Sequence, residues 1–411
     1  MSKMVPMIRF RGFTDDWEER KLKDIAQFNP KTVLPDEFEY VDLESVVGTE
    51  MISHRTESKD QAPSRAQRLA QKGDVFYQTV RPYQMNNYLY DLPYDNYVFS
   101  TGYAQMRPNI DSYFLLNSVQ NKQFVQHVLD RSTGTSYPAI NSSDLSNIEI
   151  HVPSKLSEQQ KIGAFFQSID DTIALHQRKL DLLREQKKGY LQKMFPKNGA
   201  KVPELRFAGF DDDWEERKLK DISEIIDGDR GKNYPSGDDF KNNGHTLFLS
   251  ATNVTKQGFV FKKNQYITNL KSESLGNGKV KLNDIILTSR GSIGHIGFYD
   301  EKINEKIPQA RINSGMLILR TDKFNSPNFI AQFLKSPLGI KQIKLISFGS
   351  AQPQLTKKDI KKLKIALPKI EEQQKIGSLL KQIDNTIALH QRKLDLLKEQ
   401  KKGFLQKMFV S

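Results

Sequence analysis

The sequence predicts a mixed α/β (α+β) protein made of one unit used twice. Three observations carry that expectation: a long internal repeat, short strand-like runs in the middle of each copy, and a 3.5-residue apolar period closing each copy. Residues 9–25 read RFRGFTDDWEERKLKDI and residues 206–222 read RFAGFDDDWEERKLKDI, differing only at Arg11/Ala208 and Thr14/Asp211. Residues 158–195 recur at 372–409 with eight differences in 38 positions. The starts are offset by 197 and the ends by 214, so the second copy holds 17 more residues in between. A period of about 200 residues is too long for a solenoid and implies two whole domains.

Taken in order, the first middle (26–150) mixes strand-like runs with polar loops. Lys72–Pro82 reads as a turn feeding an alternating strand, and Tyr97–Arg107 as another strand. In the second middle (223–370), Asn283–Gly294 and Ile307–Leu319 have the same character. The two middles converge at their ends, where Tyr137-Pro138-Ala139-Ile140 parallels Gln352-Pro353-Gln354-Leu355. Gly291, Gly294 and Gly297 do not match a phosphate loop and read as a strand–turn–strand corner.

The closing segments place Ile162, Phe166, Ile169, Ile173, His176, Leu180 and Leu183 on one seam. The second copy repeats it with Ile376, Leu380, Ile383, Ile387, His390, Leu394 and Leu397. Spacings alternating four and three are those of a coiled-coil helix, and two such helices in one chain pack most simply on each other. His176 and His390 interrupt equivalent seam positions and read as register-setting polar residues rather than metal ligands. Phe195–Pro203 carries two Pro and a Gly and reads as an interdomain linker. The domain plan is therefore a first domain at 1–154, a spacer helix and linker at 155–196, a second domain at 197–370 and a second spacer helix at 371–411.

Composition narrows the function. The 411 residues include no Cys, which removes disulfides, thiolate metal sites and a cysteine nucleophile. No run approaches a membrane span, and Met1–Pro6 lacks the apolar core of a signal peptide, so a cytoplasmic location is expected. The net charge of +13 invites a polyanionic partner. It is unevenly held: residues 1–196 carry 24 basic against 25 acidic side chains, leaving 38 against 24 in residues 197–411.

No pattern in the chain spells a catalytic centre. Asp91-Leu92-Pro93-Tyr94 has Leu in place of the first proline of an adenine-methyltransferase loop, and no glycine-rich cofactor loop follows a strand. The two Glu-x-Lys matches, Glu185–Lys187 and Glu399–Lys401, lie in the helical repeat, where Glu and Lys are ordinary surface residues. The expectation is a binding and scaffolding protein with no catalytic, metal or cofactor residues.

The Trp-Glu-Glu-Arg-Lys-Leu-Lys-Asp-Ile starts, the Glu-Gln-Gln-Lys-Ile-Gly helix openings at 158–163 and 372–377, and the two divergent middles resemble the specificity (S) subunits of type I restriction–modification systems. The resemblance covers the whole chain. It implies two target recognition domains, each reading one half of a bipartite double-stranded DNA target, joined by two long antiparallel helices. It further implies two modification (methyltransferase) subunits as partners, with ATP-dependent restriction subunits joining for cleavage, and no catalysis by this chain itself. A self-sufficient modification enzyme or nuclease, and a coiled-coil scaffold without sequence-specific DNA binding, are the competing readings.

Base edges are read by bidentate side chains, and phosphates by Lys and hydroxyls. On that chemistry the candidates in the first domain are Thr79, Arg81, Tyr83, Gln84, Asn86, Asn87, Gln105, Ser132, Thr135 and Tyr137. In the second they are Asn253, Lys256, Ser289, Arg290, Ser292, Gln309, Arg311, Ser350 and Gln352.

Overall fold

A computed structural model describes residues 5–197, 199–347 and 354–410. Ser350 and Gln352 lie outside them. The chain divides into two compact units, Met1–Arg178 with Gln391–Ser411, and Lys179–His390. Both divisions fall inside the long helices, Leu156–Lys193 and Ile370–Lys407. Each long helix is thus divided between the two units. Each is shared, because its two ends carry different apolar cargo.

In the first unit, Ala26–Phe28, Tyr103–Pro108, Val75–Gln78 and Tyr88–Leu89 form a four-stranded sheet in that order. A second sheet runs Arg55–Ser58, Glu37–Val41, Tyr97–Ser100, Ala66–Leu69, with its central pair parallel. Val75–Gln78 is buried at every position, so the alternating strand expected there is a central one covered on both faces. The single strand expected over Tyr97–Arg107 is two, because the chain turns at Thr101-Gly102 and passes from one sheet to the other. Glu18–Lys21 pairs antiparallel with Glu149–Val152, which brings the repeated start beside the entry to the long helix.

The second unit repeats this plan. Ser223–Asp227, Met316–Thr321, Ile285–Thr288 and Ile296–Phe298 form the matching sheet, and Glu215–Lys218 pairs with Lys364–Leu367. Its other sheet, Tyr266–Ile267, Thr246–Leu249, Ala310–Ile312, keeps the parallel pair. Gly291 and Gly294, at φ +71° and +83°, turn the corner between Ile285–Thr288 and Ile296–Phe298, as the sequence suggested.

The repeated motifs have structural work to do inside each unit. Glu158 accepts a bidentate pair of hydrogen bonds from Arg9 (2.6 and 2.8 Å), and Glu372 accepts the same from Arg206 (2.8 and 2.9 Å). Gln159 donates to the Pro153 carbonyl and accepts from the Asp111 amide; Gln373 donates to Pro368 and accepts from Ser326. Gly163 and Gly377 let another helix start close by: an added Cβ would stand 2.3 Å from Asp111 Oδ1 and 3.0 Å from the Phe329 amide. Glu-Gln-Gln-Lys-Ile-Gly is thus a clamp between helix and domain.

Trp17 and Trp214 are buried, each edge-on to a phenylalanine 5.7 Å away, Phe114 and Phe329. Met408 and Phe409, from the end of the second long helix region, complete the core around Trp17. Met194 and Phe195 do the same around Trp214. Phe195 and Pro196 are therefore buried, and the whole of Phe195–Pro203, expected as a linker, falls within the bounds of the second unit.

In the first unit the long helices run antiparallel, with Phe165 against Phe404 (5.0 Å) and Asp170 against Lys401 (2.6 Å). In the second, Lys187 meets Asp384 at 2.6 Å. All fourteen seam positions are buried or half-buried, including His176 and His390, both of which have interaction partners. Leu175, Leu182, Leu389 and Leu396, off the seam, are exposed. The seam is not uniform: Ile162 and Phe166, like Ile376 and Leu380, pack into the domain cores.

Candidate nucleic-acid interface

In the first unit the candidate residues begin where Val75–Gln78 ends. Thr79 makes the last bond of that ladder, donating from its amide and its hydroxyl to the Gly102 carbonyl (2.9 and 2.8 Å). The Thr79 carbonyl accepts from Ile140, Val80 bridges Ala139, and the Arg81 amide donates to the Pro138 carbonyl (2.8 Å). Two loops distant in sequence, 79–87 and 132–140, are laced together in this way.

Gln78 braces the loop from beneath. Its side-chain amide donates to the Val80 carbonyl (2.6 Å) and to Gln84 Oε1 (2.8 Å). Pro82–Gln84 forms a single tight turn bracketed by two left-handed residues, Arg81 (φ +55°) and Met85 (φ +57°). The Arg81 guanidinium lies over the Tyr137 ring, 4.4 Å from its centre.

This geometry sorts the candidates. Arg81, Tyr83, Gln84, Thr135 and Tyr137 come together on the two laced loops, with Tyr83 and Tyr137 about half and two-thirds exposed (49% and 64%). Gln105 does not belong with them: it is fully buried, and its amide donates to Leu69 and to Asp74 (2.8 and 2.7 Å). Asn87 is buried and accepts from the Gln78 amide, while Thr79 is spent on Gly102. Ser132 caps the preceding helix through the Val128 carbonyl, and Asn86 accepts from Gly48 (2.9 Å). These five hold the loops, and three of them are too buried to meet a base edge. A polar residue in a sequence looks alike in either role; burial separates them.

In the second unit the corresponding corner carries Arg290 and Ser292, both exposed. Ser289 is buried, its amide bonded to Gly315 and its carbonyl to Leu355, as Thr79 is to Gly102 and Ile140. Asn253 is likewise buried, pinning a turn by accepting from Ser250 and donating to Lys263. Arg311 is buried against Ser272 and the Asn277 carbonyl, and burial pulls its guanidinium below the usual arginine range. Lys256 is exposed in a neighbouring hairpin, and Gln309 is half-buried in the parallel-sheet region.

Two charged pairs were not anticipated from the sequence. Asp74 holds Arg107 in a fork (2.9 and 2.9 Å), and Asp284 holds Arg320 (2.9 and 2.7 Å). Both aspartates are almost wholly buried. Each follows a left-handed residue, Gly73 or Asn283, and that shared turn before the central strand was the available signal. Among the described residues no group of three His, Cys, Asp or Glu is arranged to hold a metal, and no helix is long and apolar enough to cross a membrane.

The family model described as the type I restriction modification DNA specificity domain matches residues 14–185 and 211–399. The chain is similar to the type I restriction enzyme MjaVIII specificity subunit of Methanocaldococcus jannaschii, 25% identical over 304 residues, covering 72% of this chain and 69% of the relative. It is 22% identical over 450 residues to the MjaIX specificity subunit of the same organism, covering 98% of each. In fold it matches the crystal structure of a type I restriction–modification S subunit from M. genitalium, with a TM-score of 0.68 at 17% identity, over 99% of this chain and 100% of that one.

Proposed function

The chain belongs to the type I restriction–modification DNA specificity domain family, and we propose that each of its two domains reads one half of a bipartite DNA target. The observation that carries this is the duplicated unit with divergent corners: one topology twice, opening onto different side chains at the same place. The first half presents Arg81, Tyr83, Gln84 and Tyr137, and the second Arg290 and Ser292.

In this reading the chain is the non-catalytic recognition subunit of a cytoplasmic complex. Two modification subunits dock on the repeated elements, methylate adenine and are joined by restriction subunits for cleavage. The paired long helices set the unspecified gap between half-sites, since each domain must meet its own stretch of groove. Two modest half-site contacts on one body also raise each other's effective concentration.

The test is exchange of residues 26–150 for the equivalent segment of a relative, with methylated adenines mapped in a host that also expresses the modification subunit. One half of the methylated motif changes and the other stays. Change in neither half, or loss of both with the protein still folded, overturns the proposal. Methylation or cleavage by the purified chain alone, given methyl donor, magnesium and ATP, would overturn the non-catalytic assignment.

A further inference from the structure

Arg81 occupies a backbone conformation that its own chemistry resists. A non-glycine residue at φ +55° is disfavoured, and the following Pro82 pushes it toward extended backbone instead. The sister unit shows what the corner alone requires. There the corresponding residue, two beyond the Ser289 that matches Thr79, is Gly291 at φ +71°. Glycine takes that conformation freely. The first unit keeps an arginine where the fold would be better served by glycine, and locks it left-handed through the Pro138 carbonyl.

The side chain is prepared as well as strained. Its guanidinium is stacked on Tyr137, and its Nε is shielded from water without a hydrogen-bond partner. Among the described residues no carboxylate pairs with it. This contrasts with Arg9, Arg107, Arg206 and Arg320, each forked onto a buried carboxylate. A planar donor with its face held and its fork unspent suits the O6 and N7 acceptors of guanine in the major groove.

We propose that Arg81, braced by Tyr137, is a specificity-determining residue of the first half-site and fixes one G·C pair there. This rests on the DNA-recognition reading of the two domains. It goes further by assigning one side chain to one base pair and explaining why that side chain is tolerated in a left-handed position.

The experiment uses the assembled complex of this chain with its modification subunits. Arg81→Gly relieves the backbone, so the melting temperature of the chain is unchanged or higher. One guanine position of the first half of the methylated motif becomes degenerate, the second half is unaltered, and affinity for the original duplex falls roughly 10- to 100-fold. Arg81→Lys keeps the charge but not the fork and also loses discrimination. Tyr137→Phe keeps the ring and the motif, whereas Tyr137→Ala weakens binding at that same position.

Unchanged discrimination in a folded Arg81→Gly complex overturns the assignment. So does a loss that is uniform across DNA sequences with a salt slope shallower by about one, which would mark a phosphate contact. If exchange of residues 26–150 alters the first half of the motif while Arg81→Gly does not, only the Arg81 assignment fails. If neither alters it, the recognition reading fails too.

Discussion

In the first unit the corner after the central strand is filled by Arg81, left-handed and stacked on Tyr137; in the second, Gly291 fills it and Arg290 stands one residue earlier. Around those corners the units agree closely. The same strands pair in the same order, the same glutamate holds the same arginine, and an aspartate before the central strand forks onto an arginine of the neighbouring strand. The comparison separates two kinds of constraint. What must bury apolar surface and satisfy buried charge is kept in both copies, while what faces outward from the corner is free to differ. Charge divides likewise: the whole excess lies in residues 197–411, so the first domain must rely on placement of a few side chains and the second can draw on bulk attraction.

The comparison can be broken most forcefully through the helix ends. Phe409→Ala opens the core around Trp17 and costs about 3–5 kcal/mol. The loss falls on the first unit, although Phe409 is contiguous in sequence with the second. Phe195→Ala does the reverse, loosening the second unit. Hydrogen exchange resolved by unit checks both, and destabilisation of the unit adjacent in sequence would refute the division of the helices.

Glu158→Gln and Glu372→Gln leave Arg9 and Arg206 without their buried partners, at about 3 kcal/mol each. The two effects should match, because the clamps match; calorimetry of the single variants measures the difference. A smaller pair is Gly163→Ala and Gly377→Ala. The first places a methyl 2.3 Å from Asp111 Oδ1 and disrupts that helix cap, costing roughly 1–2 kcal/mol, with the backbone approach at Gly377 costing about as much.

The smallest effect sharpens the difference in charge. Lys357, Lys358 and Lys361 are exposed in the second unit. Replacing all three by Gln leaves folding unchanged within about 0.5 kcal/mol. It flattens the dependence of DNA affinity on salt by up to about one unit of logarithmic slope per lysine that meets a phosphate. An unchanged slope would remove these lysines from the DNA contact.

Local sequence was enough to establish that the molecule is one unit used twice, that each copy closes with a long helix, and which face of that helix turns inward. Repeats and periodicity are local properties, and a 3.5-residue apolar spacing has one structural solution. The strand–turn–strand corner at Gly291–Gly294 was equally legible, since glycines at such spacing have few other uses. Long-range packing settled where each helix end is buried, because Met194–Phe195 and Met408–Phe409 are identical in sequence and nothing local says which tryptophan each will meet. It also settled which polar residues are spent inside. Gln105, Asn87, Asn253 and Arg311 have the same chemistry as Gln84 and Arg290 but are buried, Gln105 and Arg311 held by partners 30 or more residues away and Asn87 and Asn253 by partners within about ten. Outward-facing and buried corner residues are distinguished by the lacing of two loops some 50 residues apart, a property of packing that no local pattern of polar residues encodes.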